Sequence, residues 1–437
     1  MNTYMENRFL FKFHGAAKEV GRSCIEICAT GPEGPARILL DAGLKITEDR
    51  EFFDDYPTEI DRPDEIDAVF LSHAHLDHTG ALPFLNHMGL ECPILCNSLT
   101  KEVAKLLLMD SLKIELLEKH SSVYNKNNIT RVMDLIRPIS MYQKDHIKGI
   151  WYKFYDAGHI PGSTCIVLEI NGKRILYTGD VNHIETNLLH GSNEKFNNID
   201  IMICESTYGD REHPNRESEE KRFLDTIQRT IEDGGSVLVP AFAVGRAQEV
   251  LMMLSKRHFG VPIYLDGMAK KVTKLYMQNG ASLKDASALE KAWSGAIPIG
   301  GWQDRKEVVK QQAIIVTTSG MMDGGPVIEY ARHHYFETKN LIVLTGYQAE
   351  GCNGRMLLEE GTLKLNEDVV KVRCKVEKFD FSAHSGCAQL KTMIKNIKPK
   401  VLILQHGEEK SIKNLASWCD FSEVHTPDID EEIEVIM

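Results

Sequence analysis

The six residues His73-Ala74-His75-Leu76-Asp77-His78 place three imidazoles and a carboxylate directly after the apolar run AVFLS. Imidazole nitrogen and carboxylate oxygen are the donors that suit Zn²⁺ in a site that keeps positions open for water. Single candidates recur in similar surroundings: Asp41 in LLDAG, His159 in DAGHIPGS, Asp180 in YTGD, Glu205 in CEST, His384 in FSAHSG and His406 in LQHGE. Each follows a hydrophobic run or sits in a loop of small residues. Taken alone, any one of them is more often a cap or a surface group. Their recurrence carries the weight, because strand ends of one sheet converge on one edge. Gly158, Gly162, Gly179 and Gly407 stand beside them and permit tight turns and close backbone approach. The chemistry implied is hydrolysis. Paired cations lower the pKa of water held between them to about 7 and clamp both the attacking and the leaving oxygen.

Elements able to position these groups are legible in the spacing. Residues 8–41 alternate short apolar runs with Gly and Pro, as hairpin strands do. IDAVFLSHAHLDHTG reads as a buried strand, a polar loop and a helix opening near Thr79. Apolar residues at helical spacing predict helices over 98–119 and 128–136, followed by strands at 151–156, 164–170, 173–178 and 199–205. From 208 to 365 strands alternate with helices (SVLVPA then GRAQEVLMMLSKRHF, PIYLD then MAKKVTKLYM, AIIVTTS then PVIEYARHH), which implies a parallel sheet with helices on its faces. The tail returns with strands near 369–379, a helix at 387–397 and the strand KVLILQH. The division predicted is 1–207 and 366–437 for one domain and 208–365 for a second inserted into it.

The composition of the 437 residues sets outer bounds. Hydrophobic residues are 43% and charged residues 26%, which is ordinary globular composition and excludes a disordered chain. No apolar run is long enough to span a bilayer, and the first residues lack a secretory pattern, so a cytoplasmic location without membrane contact is expected. Ten cysteines are scattered with no C-x-x-C pair, as reduced core thiols would be. The net charge of −12 opposes phosphate binding on average; bound divalent cations would offset it where it matters.

The H-x-H-x-D-H motif with later His159 and Asp180 resembles the metallo-β-lactamase superfamily. Glu205 before the insertion, His384 and His406 after it, and the stretches PAFAVGRAQEV, TSGMMDGGP and GYQAEGCNGR resemble the β-CASP nucleases of that superfamily. The likeness is to archaeal and bacterial relatives of the cleavage and polyadenylation specificity factor endonuclease, in the short form without an RNA-binding extension. It implies an αββα metallo-β-lactamase sandwich, an α/β fold, with an inserted parallel-sheet β-CASP domain and two zinc ions. By it, His73, His75 and His159 hold one zinc, Asp77, His78 and His406 the other, and Asp180 bridges them. Asp41 orients the site from behind. His384 donates the proton to the leaving 3′ oxygen, with Glu205 holding the imidazole charged, and RNA is cut to 5′-phosphate and 3′-hydroxyl ends. Glu205 stands where many members have Asp. His406 is similar to the RNA-directed members, whereas DNA-repair members carry an apolar residue there.

Weaker signals concern substrate. Arg246 opens a helix after a strand, where free N–H groups favour an anion. Ser319, Gly320 and Tyr347 follow two apolar strands of the insertion, at the strand ends where α/β sheets bind ligands. These are read as contacts to a single-stranded RNA backbone; Tyr208 and Arg355 are left without a position. The final segment DIDEEIEVIM alternates apolar and acidic residues as an edge strand would, which allows a homodimer. Three other functions compete: a metallo-hydrolase of thioesters or lactams, which would need neither Glu205 nor His384, a scaffold subunit, which would lack metal ligands, and a DNA nuclease. The motifs do not separate internal cleavage from 5′-to-3′ degradation.

Overall fold

The computed structural model describes residues 7–45, 56–57, 59–117, 122–365 and 368–437; the last two residues of the helix expected over 98–119 lie outside them. Two compact units result. The first comprises Met1–Ile184, Gly191–Glu212 and His384–Met437, and the second Glu185–His190 and His213–Ala383.

Among the described residues the first unit holds two seven-stranded sheets. In one, the order is Glu432–Ile436, Arg8–Phe13, Ile25–Gly31, Gly34–Leu40, Ala68–Phe70, Ile94–Cys96 and Ile136–Pro138. In the other it is Glu423–His425, Val401–Gln405, Ile201–Glu205, Lys173–Tyr177, Thr164–Ile170, Ile150–Asp156 and Asp145–Ile147. Successive side chains of a strand point to opposite faces. Phe9, Phe11 and Phe13 from the first sheet therefore meet Ile166, Ile175, Tyr177, Ile201 and Ile403 from the second in one buried layer. The outer faces take helices. Leu39, Val69 and Leu71 pack against helix residues Leu82, Leu85, Leu108, Leu112 and Val132, while Met202, Cys204, Leu402 and Leu404 pack against Leu390, Ile394, Ile412 and Leu415. The layering is αββα.

What matters for chemistry is where these strands stop. Gly34–Leu40 and Ala68–Phe70 run parallel, with Leu40 beside Phe70, so Asp41 and the His73 loop leave the first sheet together. Lys173–Tyr177, Ile201–Glu205 and Val401–Gln405 are also parallel, with Glu205 in register with Gln405. Asp180, Glu205 and His406 thus leave the second sheet at one edge.

Among the described residues the second unit holds a six-stranded parallel sheet in the order Ile297–Pro298, Ile263–Leu265, Ile314–Thr317, Val237–Pro240, Leu341–Leu344 and Lys375–Lys378, besides the antiparallel pair Thr362–Leu365 and Asp368–Lys371. Its central strands, VLVP, IIVT and LIVL, are buried throughout, as a sheet covered on both faces requires. The sequence reading ends the insertion at 365; Lys375–Lys378 pairs with Leu341–Leu344 and so stays with this unit. Helix Arg216–Glu232 has no counterpart in that reading: its sequence is mostly polar, and the buried apolar stripe is limited to Phe223, Leu224, Ile227 and Ile231, with Glu219 and Thr230 buried beside it. The segment Glu185–His190 belongs here because buried Glu249 accepts the backbone N–H groups of Asn187 and Leu188, both at 2.9 Å.

Candidate metal centre

The His73 loop is shorter than the spacing predicts. A helical turn opens at Leu76 rather than near Thr79, because the N–H groups of His78 and Thr79 both reach the carbonyl of His75 at 3.0 Å. That turn packs under the loop after Asp41: Ala42 N–H donates to the His78 carbonyl at 2.8 Å. A Cβ on Gly43 would lie 1.8 Å from the Asp77 carbonyl oxygen, so only glycine fits there. Asp41 (φ 59°) and His406 (φ 50°) both sit in the left-handed region, which costs a non-glycine residue about 1–3 kcal/mol.

Seven side chains named from the sequence as ligands converge in the first unit. His73, His75, His159 and Asp180 bring one donor atom each within 4.8 Å of one another, as do His78, Asp180 and His406, and His73, Asp77 and His78. Asp180 is central. Its Oδ2 lies 3.5 Å from His73 Nε2, 3.5 Å from His159 Nε2 and 3.4 Å from His78 Nε2, while Oδ1 lies 3.4 Å from His406 Nδ1. Asp77 Oδ2 is 3.6 Å from His406 Nε2 and 3.8 Å from His78 Nε2. His75 Nδ1 is 3.1 Å from His73 Nε2 and 3.3 Å from His159 Nε2.

The residues fit a metal. His78 Nε2 and Asp180 Oδ1 are buried without a hydrogen-bond partner, in an interior where such atoms are nearly always satisfied. Their ring partners are fixed from behind. Asp41, fully buried, accepts from Ser72 N–H (2.6 Å), Ser72 Oγ (2.7 Å), Tyr177 OH (2.6 Å) and His78 Nδ1 (2.7 Å). Asp41 engages Nδ1 of His78 and leaves Nε2 facing the cluster, the arrangement of carboxylate–imidazole–metal chains; with no cation bound, Asp180, Asp77 and Asp41 outweigh burial and raise the pKa of that imidazole. Ser72 Oγ lies 3.0 Å from His73 Nδ1, and Thr207 Oγ1 lies 3.3 Å from His406 Nδ1. Ser72, Tyr177 and Thr207 were not singled out from sequence, since nothing in their local spacing distinguishes them from core polar residues.

The electrostatics favour cations. Burial opposes charge on Asp77 and Asp180, but His78 and His406 outweigh it and hold both carboxyls below the ordinary range. Burial keeps His73 neutral, with its pKa well below the ordinary imidazole value, the form that ligates. Replacing Asp41 with Asn removes the charge that His78 Nδ1–H donates to. Zinc affinity, measured by competition with a chromogenic chelator, should fall about 10–100-fold with the far-ultraviolet spectrum unchanged. Undiminished affinity would remove Asp41 from this role.

At one border of the cluster, His384 Nδ1 lies 3.1 and 3.2 Å from the two oxygens of buried Glu205, and His384 Nε2 lies 3.8 Å from Asp180 Oδ2. Burial works against the imidazolium, yet Glu205 and Asp180 prevail and push His384 up to about 9. Tyr208, left without a position by the sequence, has its ring 5.9 Å from that of His384. The remaining substrate candidates lie in the second unit. Arg246 begins the helix Arg246–Leu254, Ser319 and Gly320 follow Ile314–Thr317, and Tyr347 follows Leu341–Leu344. The three loops interlock around Phe242: a Cβ on Gly320 would lie 2.8 Å from its nitrogen, and one on Gly346 3.1 Å from its ring. Gln348 ties them further, donating to the Gly320 carbonyl at 3.1 Å. Arg355 lies in helix Asn353–Glu359 and pairs with Glu359.

Comparison with known proteins accords with this geometry. Residues 33–205 match the family described as metallo-beta-lactamase superfamily domain, 247–357 the Beta-Casp domain, and 369–427 the Zn-dependent metallo-hydrolase RNA specificity domain. A Methanocaldococcus jannaschii protein named Probable RNase MJ4 is 40% identical over 433 residues, spanning 97% of this chain and 99% of that protein. RNase aCSPSF2 of Saccharolobus solfataricus is 34% identical over 98% of this chain and 85% of its own length. The cleavage and polyadenylation specificity factor subunit 3-I of Arabidopsis thaliana is 32% identical over 92% of this chain and 59% of its own. A crystal structure of an Enterococcus faecalis V583 protein of unknown function shares the fold, with a TM-score of 0.62 at 15% identity over 98% of this chain and all of that one. With an αββα unit, a gathered His/Asp cluster and a relative matched over 97% of this chain and 99% of its own length, this chain belongs to the β-CASP branch of the metallo-β-lactamase superfamily.

Proposed function

We propose that the protein is a zinc-dependent ribonuclease that hydrolyses RNA phosphodiester bonds to 5′-phosphate and 3′-hydroxyl products. The observation that carries this reading is the His384–Glu205 pair beside Asp180, because ligand clusters alone serve many hydrolases and a charged imidazole at their border serves a poor leaving group. Two zinc ions would be held by His73, His75 and His159 on one side and Asp77, His78 and His406 on the other, with Asp180 shared. When bound, such a pair supplies an activated water and neutralises charge developing on the phosphate.

The remaining work falls to the chain. Glu205 keeps His384 protonated and fixes its ring through Nδ1, leaving Nε2–H to donate to the departing 3′ oxygen, a contribution of roughly 10²–10⁴-fold. Asp41 and Ser72 hold His78 and His73 in the ligating tautomer. Arg246, Ser319, Gly320 and Tyr347, at the carboxyl edge of the second sheet, are proposed to take the RNA backbone, single-stranded so that it can lie along those loops. The names of the relatives support RNA as substrate. The strand Glu432–Ile436, at the end of its sheet order, is where a second copy would pair.

The test uses single-stranded RNA labelled at either end, with a matched DNA strand, with and without chelator. Cleavage of RNA alone, lost on chelation and restored by zinc, is expected. Fragments of intermediate size indicate internal cleavage, the main activity proposed, and mononucleotides from the 5′ end indicate exonuclease action. Equal cleavage of DNA, or activity indifferent to chelator, would overturn the reading.

A further inference from the structure

The loop that presents Asp180 also reaches the residue next to His384. Val181 N–H donates to Glu205 Oε1 at 2.7 Å, and Ser385 N–H donates to the Val181 carbonyl at 2.8 Å. Two residues on, His183 meets Ser385 twice: its backbone N–H lies 3.2 Å from Ser385 Oγ, and its ring Nδ1 lies 2.7 Å from the same atom. A hydroxyl has one proton and two lone pairs. The backbone N–H can only donate, so Oγ accepts there, and among the described residues Nδ1 is the acceptor within reach of the buried hydroxyl proton. Ser385 is completely buried, and this hydroxyl therefore needs both partners.

The loop is itself stiff. Asn182 N–H donates to the Ala157 carbonyl at 2.9 Å, and its side-chain amide donates to the Ile184 and Gly158 carbonyls at 2.8 and 3.3 Å. Gly191, with φ 78°, packs against the His183 backbone so closely that a Cβ would lie 3.0 Å from it. From this fixed frame the His183 imidazole is the side chain that grips Ser385, and Ser385 is covalently next to His384. A rotation of the Ser385 backbone would carry His384 away from Glu205 and from Asp180 together.

We propose that His183 is a positioning residue for phosphodiester cleavage: through Ser385 Oγ it fixes the backbone beside His384 and so keeps that imidazole aimed at the leaving oxygen. This rests on the reading of His384 as proton donor. Misplacement by an ångström can cost on the order of 10²-fold in rate, and the loss should appear only where a proton is needed. A diester with an acidic phenol as leaving group departs without one.

The experiment measures single-turnover cleavage of RNA and hydrolysis of bis(p-nitrophenyl) phosphate by the full chain loaded with zinc. His183→Ala is expected to slow RNA cleavage about 10–100-fold. RNA affinity and zinc content should be unchanged, and the activated diester should be cleaved within about twofold of the wild-type rate. His183→Asn, which offers a polar atom where Nδ1 stood, should recover most of the loss. The pair His183→Ala with Ser385→Ala should be no slower than the slower single variant, since both break one contact. A wild-type rate on RNA for His183→Ala, equal losses on both diesters, or no recovery with Asn would overturn the proposal. His384→Ala measured alongside separates the two ideas. If it slows both diesters alike, the proton-donor reading falls and takes this proposal with it. If its loss is confined to RNA while His183→Ala is normal, this proposal alone falls.

Discussion

His384→Ala is expected to lower RNA cleavage by about 10²–10⁴-fold while zinc content stays at the wild-type value. The proposed division rests on what each imidazole faces, since Asp180, Glu205 and His384 also come close enough together to hold an ion. His384 Nδ1 is taken by Glu205, and its Nε2 stands 3.8 Å from Asp180, whereas His73, His78, His159 and His406 stand 3.4–3.5 Å from the same carboxylate. The pH profile gives a second check. A proton donor works only while protonated, so activity declines as pH rises through the donor's pKa. Glu205 and Asp180 raise that value to about 9. Bound cations nearby would draw it down again, so the alkaline limb should fall below that. Glu205→Gln removes the largest favourable influence and should move the limb lower still. A profile indifferent to Glu205→Gln, or zinc lost together with activity in His384→Ala, would assign His384 to the metal instead.

Asp180→Asn should be the most damaging single change. Among the described residues no other side chain approaches His73, His78, His159, His384 and His406 together, and the amide removes its charge while preserving its shape. Zinc per chain, measured by elemental analysis after dialysis, should fall below two equivalents. The cleavage rate should fall on the order of 10⁴-fold, about 5.5 kcal/mol of barrier at 1.36 kcal/mol per decade. Because the buried imidazoles would then lack their anion, the fold must be checked by near-ultraviolet circular dichroism. A native spectrum with full zinc and near-normal rate would dissolve the idea of a shared carboxylate.

The parts of this site that could be read from the sequence share one property: their residue types are unusual for their surroundings. Three imidazoles and a carboxylate after AVFLS are costly to place by chance. Single His or Asp residues in glycine-rich loops gain meaning once that cluster is seen. The alternation of strands and helices in the insertion was legible for the same reason, as buried runs such as VLVP and IIVT differ sharply from the mixed polar and apolar helices after them. Ser72, Tyr177, Ser385 and His183 were not legible. Their significance is relational, set by partners such as Asp41, which lies far from Tyr177 in the chain and 2.6 Å from it in space. The end of the insertion is hard to read for a related reason. KVEK reads as any short strand, and only its pairing with LIVL reveals which sheet owns it.

The pairing of Ile201–Glu205 with Val401–Gln405 bears on how the protein is made. These neighbours are separated in the chain by most of the second unit, His213–Ala383. During synthesis, the inserted sheet can settle while the second sandwich sheet still lacks an interior strand. Neither His384 nor His406 has left the ribosome at that stage. On the proposed roles of His384 and His406, a nascent chain would carry His73 through Asp180 without the means to cleave, and hydrolytic competence would arrive only with the last segment translated. Long-range closure of this kind is slow, which leaves the partial ligand set exposed to stray metals until translation ends.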